Sequence, residues 1–264
     1  MQTIYEPKGK AREYSPLALN IYKGCDHGCS YCYVVNMMKR FNSEYVHHDV
    51  KNKPGFVASL KKVAEKGIIK KQVLLSFTGD PYCKANSIYK ETRKVLEVLL
   101  KNKIPVRILS KGGSRILEDL DIFKEFGNNI IVGSTLTFSN KKDSLEWEPN
   151  ASLPEKRLNV LKTLHDNGIR TWSSFEPVII PSQSLELMEK TLDFVDEYKI
   201  GKINHNIEIE KKIDWNDFLE KTVHLMRVNK KSFYIKDDLA KYKQKTFFES
   251  KERNKDFLNL KWIA

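Results

Sequence analysis

Residues 17–33 read Leu17-Ala18-Leu19-Asn20-Ile21-Tyr22-Lys23-Gly24-Cys25-Asp26-His27-Gly28-Cys29-Ser30-Tyr31-Cys32-Tyr33. The first six residues form a short apolar run of β type. The rest is a turn carrying three cysteines in C-x3-C-x2-C spacing. A short loop at that spacing can wrap three thiolates around one cofactor. Thiolates are soft ligands that favour zinc, Cu(I) and iron–sulfur clusters. A strand that runs straight into a ligand loop places chemistry at a strand's carboxyl end, as α/β folds do.

Outward from this stretch, β-type runs alternate with helical patterns. Leu17–Tyr22, Gln72–Phe77, Val106–Leu109, Ile130–Thr135, Arg170–Phe175 and Lys202–Ile207 are the expected strands. Between them, residues 87–100 place Ile88, Val95, Leu96 and Leu99 on one helical face. Ser152 and Glu155 have capping-box spacing before a helix that Gly168 closes. Residues 183–198 repeat the helical pattern, and Asp214 is positioned to cap a helix that buries Phe218, Leu225 and Met226. Six strand–helix alternations predict an α/β fold: a partial (β/α)6 TIM-like barrel, with an open doubly wound sheet as the other arrangement. The expected organisation is a barrel over residues 1–229 and a C-terminal helical extension over 230–264. Phe247, Phe248, Phe257, Leu260 and Trp262 would dock that extension on the barrel.

With 264 residues, 41% hydrophobic and 11% aromatic, the chain can build a core, and general disorder is excluded. No apolar run approaches the roughly 18 residues of a membrane span, and Met1–Lys10 has no apolar signal core. Four cysteines are too few for a disulfide framework. The expected location is therefore cytoplasmic, with no membrane partner. The formal charge of +12 is uneven: residues 1–132 carry 23 basic and 13 acidic side chains, and residues 133–264 carry 23 and 21. A basic half fits an anionic partner such as nucleic acid, and equally a solvated lysine surface.

Three cysteine ligands suit a four-iron cluster with one iron left open to chelate a small molecule. The alternative is a zinc site in which His27 or Cys83 is the fourth ligand, although zinc knuckles usually pair C-x2-C with a second Cys/His pair.

The loop resembles that of the radical S-adenosylmethionine (SAM) superfamily. Gly24–Tyr33, reading Gly-Cys-x-His-x-Cys-x-Tyr-Cys-Tyr, is similar to spore photoproduct lyase and its relatives. Further segments agree in order: Thr78–Tyr82, Thr92–Glu97, Glu148-Pro149 before Arg157-Leu158, and Ser174–Ile179. The resemblance implies that Cys25, Cys29 and Cys32 hold a [4Fe–4S] cluster whose open iron binds SAM. It further implies that an electron from the cluster, supplied by an external donor such as flavodoxin or ferredoxin, cleaves SAM to a 5′-deoxyadenosyl radical.

The same resemblance suggests roles for individual residues. Tyr31 would lie beside the adenine. Gly79 and Asp80 would meet the methionine amine, and Lys111 and Ser134 its carboxylate, with Thr135 and Thr137 competing for the role of Ser134. Glu176 would touch ribose hydroxyls or substrate, and Tyr33 the substrate. Phe77 stands near the place of the lyase's hydrogen-donating cysteine, so Cys83 is either a displaced donor or a buried small side chain. That departure puts the lyase's own repair reaction in doubt, and three functions are in view. They are a radical enzyme acting on nucleic acid, one acting on a peptide or small metabolite, and a zinc-stabilised nucleic-acid-binding module. His27 is expected to face outward from the loop, and His47-His48 to be solvated.

Overall fold

The computed structural model describes residues 3–40, 45, 47, 49–67, 69–204, 206–244 and 246–263. Seven parallel strands lie side by side in sequence order: Leu17–Leu19 (β1), Val73–Leu75 (β2), Val106–Ser110 (β3), Ile130–Thr135 (β4), Thr171–Val178 (β5), Glu197–Lys202 (β6) and Ser232–Ile235 (β7). Helices connect them, as parallel neighbours require. The alternation of side chains divides the strands between two environments. One set, including Leu75, Ile108, Val132, Phe175, Ile200 and Ile235, packs in the two large apolar clusters. The other set, including Ala18, Leu74, Ile131 and Trp172, meets Tyr14 and Leu260 in the curved sheet's interior. Gly133 belongs to this inner row; a Cβ there would lie 2.4 Å from the Trp172 indole, so only glycine leaves room for that ring.

The sheet is a partial TIM-like barrel, and terminal segments occupy its gap. Tyr5 exchanges backbone hydrogen bonds of 2.9 Å with Ala18 along the free edge of β1. The chain then turns through Gly9–Glu13 toward β6 and β7. There Lys199 donates to the carbonyls of Glu13 and Tyr14, each at 2.8 Å. Tyr234 Oη and the Asp237 amide donate to the Glu13 carboxylate. At the amino ends of the strands, Arg107 is buried with Glu197 at 2.6 Å and donates to the Leu258 carbonyl. The Leu260 amide donates to Gln72.

These interior charges explain where the sequence expectation misses. The sixth strand is Glu197–Lys202 rather than Lys202–Ile207. Its inner row is Glu197, Lys199 and Gly201, so a buried strand reads as a polar helix end. Past residue 230 the sheet continues, because residues 232–235 pair with β6 as a seventh strand. Beyond β7 the described residues form two four-residue helices, Asp237–Ala240 and Ser250–Arg253, joined and followed by irregular segments.

Residues 87–100 are not one helix. Lys90 has φ +53° between Asn86–Tyr89 and Glu91–Lys101, and Ile88 is 79% exposed. Asn86 Oδ1 takes the Thr92 amide and the Tyr22 hydroxyl across that break. Ser152 caps no helix; its hydroxyl donates to the Gly112 carbonyl, and Pro154–Asp166 begins without a side-chain cap. Asp214 does cap Trp215–Val228, accepting from the Asn216 and Asp217 amides. None of the described helices is long and apolar enough to cross a membrane.

Removing one partner of a buried pair strands the other's charge. Glu197→Ala should therefore destabilise the fold by about 3–5 kcal/mol, read from the denaturant midpoint. A loss under about 1 kcal/mol would mean that Gln72 and the Leu258 carbonyl suffice for Arg107.

Candidate active site at the carboxyl ends of the strands

A cavity of about 290 Å³ opens at the carboxyl ends of the strands. Cys25, Cys29, Cys32, Tyr31, Tyr33, Gly79, Asp80, Lys111 and Glu176 all line it. Residues from widely separated parts of the sequence thus line one cavity, because parallel strands carry their loops to the same end.

The cysteine loop is held from outside itself. The Ala85 amide donates to Asp26, Ser30 donates its amide to the Trp147 carbonyl, and the Asn150 amide donates to the His27 carbonyl. Cys29 is buried, and Cys25 and Cys32 are half-buried. Burial, and then the nearby Asp80 charge, push the Cys25 thiol well above its ordinary value; burial pushes Cys29 up to about 11. Such thiols ionise when a metal supplies compensating positive charge. Three free thiols on one cavity wall are a donor set that fits iron–sulfur ligation. Among the described residues, no three His, Cys, Asp or Glu side chains are arranged to hold a single metal ion.

Asp80 ties three segments together. Its Oδ1 accepts from the Tyr82 amide (2.8 Å) and Ser110 Oγ (2.6 Å). Its Oδ2 accepts from the Lys111 amide (2.7 Å) and lies 2.9 Å from His27 Nε2. Burial opposes the charge, but His27 and these donors outweigh it and hold the carboxyl well below its usual range. His27 therefore points inward, contrary to expectation, and links the cysteine loop to the end of β2. His48 lies outside the described residues. Beside Asp80, a Cβ on Gly79 would lie 2.7 Å from the Gly24 carbonyl oxygen, so the glycine permits the two loops to meet.

Lys111 belongs to a buried group that the sequence reading missed. Glu148 is ion-paired with Arg157 and accepts a hydrogen bond from Tyr31 Oη. Lys111 Nζ lies 3.9 Å from Glu148 Oε1 and 5.3 Å from the centre of the Tyr31 ring. Burial would raise the Glu148 pKa, yet Arg157 and Lys111 hold it below its ordinary value. Tyr31 also stacks on Trp147, which stacks on Phe138. The available signal was the order of Glu148-Pro149 and Arg157-Leu158, which carried no assigned chemistry.

Across the cavity, Glu176 Oε2 accepts from Tyr14 Oη (2.6 Å) and Lys236 Nζ (2.5 Å), and Asn204 donates to Oε1 at 3.3 Å. Tyr33 donates its hydroxyl to the Phe77 carbonyl at 2.7 Å. Tyr14 and Lys236 carry no motif in the sequence; only the tertiary fold brings residues 14, 176 and 236 together.

Two expected site residues do not line the cavity. Ser134 sits in the buried row that alternates with Gly133 and Thr135, and its hydroxyl has no partner among the described residues. Thr135, one residue on, faces the cavity instead. Cys83 is fully buried in the large apolar cluster and is absent from the cavity wall. Burial, with the charge of Asp80, pushes its thiol up to about 12.

A sequence profile of the radical SAM superfamily matches residues 19–195. An uncharacterised protein of Methanocaldococcus jannaschii is 31% identical over 189 residues, which is 70% of each chain. An uncharacterised protein of Acidianus two-tailed virus is 29% identical over 202 residues, covering 73% of this chain and 66% of that one. Two solved structures have the same fold. Streptococcus suis SuiB bound to precursor peptide SuiA aligns with TM-score 0.62 and 16% identity, over 89% of this chain and 53% of that one. A spore photoproduct lyase mutant with bound AdoMet and dinucleoside spore photoproduct aligns with TM-score 0.62 and 12% identity, over 84% and 76%.

Gly79→Ala should push the β2 loop away from the cysteine loop and lower iron incorporation on reconstitution, with the sheet intact by circular dichroism. Full iron content would show that the approach is dispensable. Glu148, held below its ordinary pKa, contributes stability that is complete above the unfolded glutamate value and is lost as pH falls through the depressed folded value. Glu148→Gln should cost about 3 kcal/mol at neutral pH. The gap from the unsubstituted protein should narrow below pH ~4, and a gap independent of pH would contradict the assignment.

Proposed function

The chain belongs to the radical SAM superfamily, and from that premise we propose that it is a [4Fe–4S] enzyme that reductively cleaves SAM and abstracts hydrogen from a nucleic-acid substrate. The single observation that carries the cofactor reading is the shared cavity, lined by Cys25, Cys29 and Cys32 together with Asp80, Lys111 and Glu176. When bound, the cluster supplies the electron that breaks the SAM sulfonium bond, and the 5′-deoxyadenosyl radical so formed takes a hydrogen atom from substrate.

The chain's own residues have distinct tasks. Cys25, Cys29 and Cys32 ligate. Asp80 holds the cysteine loop against the ends of β2 and β3, and Gly79 exposes backbone beside it. Lys111 offers a cation to the methionine carboxylate, with Glu148 and Arg157 fixing its position and that of Tyr31. Tyr31 packs against the adenine. Glu176 accepts hydrogen bonds from the ribose or substrate. Tyr33, half exposed at the rim, meets the substrate. An external flavodoxin or ferredoxin reduces the cluster.

The four lysines of the cavity each have a carboxylate partner: Lys10 with Asp238, Lys111 with Glu148, Lys202 with Glu210 and Lys236 with Glu176. Apart from the SAM carboxylate that Lys111 meets, the substrate group that enters is accordingly uncharged, as a nucleobase is. The same balance favours a second reading, in which a peptide side chain enters instead.

Anaerobically reconstituted protein should be brown, hold about four iron and four sulfide per chain, and release 5′-deoxyadenosine from SAM on reduction. Cys25→Ala, Cys29→Ala and Cys32→Ala should each abolish that release, while Cys83→Ala leaves iron content unchanged. A colourless, zinc-loaded protein would overturn the reading. Transfer of deuterium into 5′-deoxyadenosine from a labelled oligonucleotide, and not from labelled peptide, separates the two substrates.

A further inference from the structure

Positive charge also gathers away from the active site. At the opposite end of the sheet, beneath the amino ends of β1–β3, lies an open groove of about 1180 Å³. Its walls come from four separated parts of the chain: Arg12 and Pro16 before β1, the end of helix Phe56–Lys66 and the stretch leading to β2, the turn after helix Glu91–Lys101, and the irregular C-terminal segment. Lys71 and Lys261 pair their backbones across it.

Lys66, Lys70, Lys71, Lys103 and Lys261 line the groove, all exposed, and none has a carboxylate partner among the described residues. Two acids share the lining, Glu65 and Asp256, and Asp256 is already paired with Arg12 at 2.8 Å. Each active-site lysine has a carboxylate within ion-pair distance, whereas these five groove lysines have none among the described residues. Lys66 and Lys103 sit where helix carbonyl ends favour a cation, but the other three have no such local reason. The groove also has an aromatic wall: Trp262, partly exposed, packs edge-on against Phe126 with ring centres 6.4 Å apart. A cationic track beside an aromatic face is the chemistry that holds a single-stranded nucleic acid, through phosphate contacts and base stacking.

We propose that this groove is a second binding surface for single-stranded nucleic acid, distinct from the cavity where the base would react. It rests on the nucleic-acid reading above. The cavity takes the uncharged base, and the groove takes phosphates that the cavity, with its paired lysines, leaves unneutralised. An acidic electron donor is the wrong occupant, because it must approach the cysteine loop at the other end of the strands.

The test is fluorescence anisotropy of a labelled single strand of roughly 20 nucleotides with the reconstituted enzyme, titrated at several salt concentrations. The triple substitution Lys70→Glu, Lys71→Glu, Lys261→Glu should weaken binding at least about tenfold and reduce the salt slope by about 2, at about 0.7 for each lost phosphate contact. The corresponding triple arginine variant should retain affinity, and Trp262→Phe should bind better than Trp262→Ala. Release of 5′-deoxyadenosine from SAM by the glutamate variant should match that of the unsubstituted enzyme, which shows intact folding and separates this test from failure of the catalytic reading. Unchanged affinity and salt slope in the glutamate variant overturn the proposal. So does a glutamate variant whose only loss is in reduction by flavodoxin.

Discussion

One carboxylate organises the catalytic end of this protein. Asp80 receives hydrogen bonds from a backbone amide of its own loop, from Ser110 at the end of β3 and from the Lys111 amide, and it faces His27 in the cysteine loop. A buried charge is tolerable only when its lone pairs are taken up, and here the donors come from three segments distant in sequence. Satisfying the charge therefore demands that the three strand ends stand at fixed distances. The position of the thiols is set by that demand, since His27 lies between Cys25 and Cys29. Glu148 repeats the device on the other side of the loop, where it joins Arg157, Tyr31 and Lys111, and the neighbouring Trp147 carbonyl anchors Ser30.

The same economy governs the interior of the barrel. A parallel sheet that stops short of closure leaves an edge and a polar gap. Here the gap is filled by the N-terminal segment, tied to Lys199, Tyr234 and the Asp237 amide. Tyr14 occupies the middle, reaching Ser174 and Glu176 with its hydroxyl and presenting its ring to Phe77 and Trp172. Burial drives Lys199 well below its ordinary lysine value, so that neutral or cationic it remains a donor to the two carbonyls it faces. The floor of the active-site cavity is thus made by residues whose primary task is to close the fold, and Glu176 belongs to both.

Charge is arranged differently at the two ends of the strands. At the carboxyl ends every cavity lysine has an acid beside it, which lowers the local field. At the amino ends five lysines surround a groove with no acid paired to them among the described residues, so their field extends into solvent. Long-range attraction of a polyanion would act there, while orientation of the reacting atom would be decided at the neutralised end.

The sequence by itself determined the parallel α/β class, the positions of all the early strands, the absence of a long apolar span and the cysteine loop. Those features depend on local spacing and on alternation within a few residues. Most of the cavity wall was also legible, because in a parallel sheet the residue after a strand comes to the carboxyl end whatever its partners. What the tertiary structure decided depends on which face a residue takes and on what lies opposite. Ser134 and Thr135 are neighbours in one strand, and only the phase of the pleat sends the threonine to the cavity and the serine away from it. Cys83 lies three residues beyond Asp80, yet the turn carries it into the apolar core. Strand β6 was misplaced because its inner row is charged, and the groups that make those charges tolerable, Arg107 and the carbonyls of Glu13 and Tyr14, are far away in sequence. Buried ion pairs reverse the polarity pattern from which local structure is read, so long-range pairing had to be seen before those positions made sense.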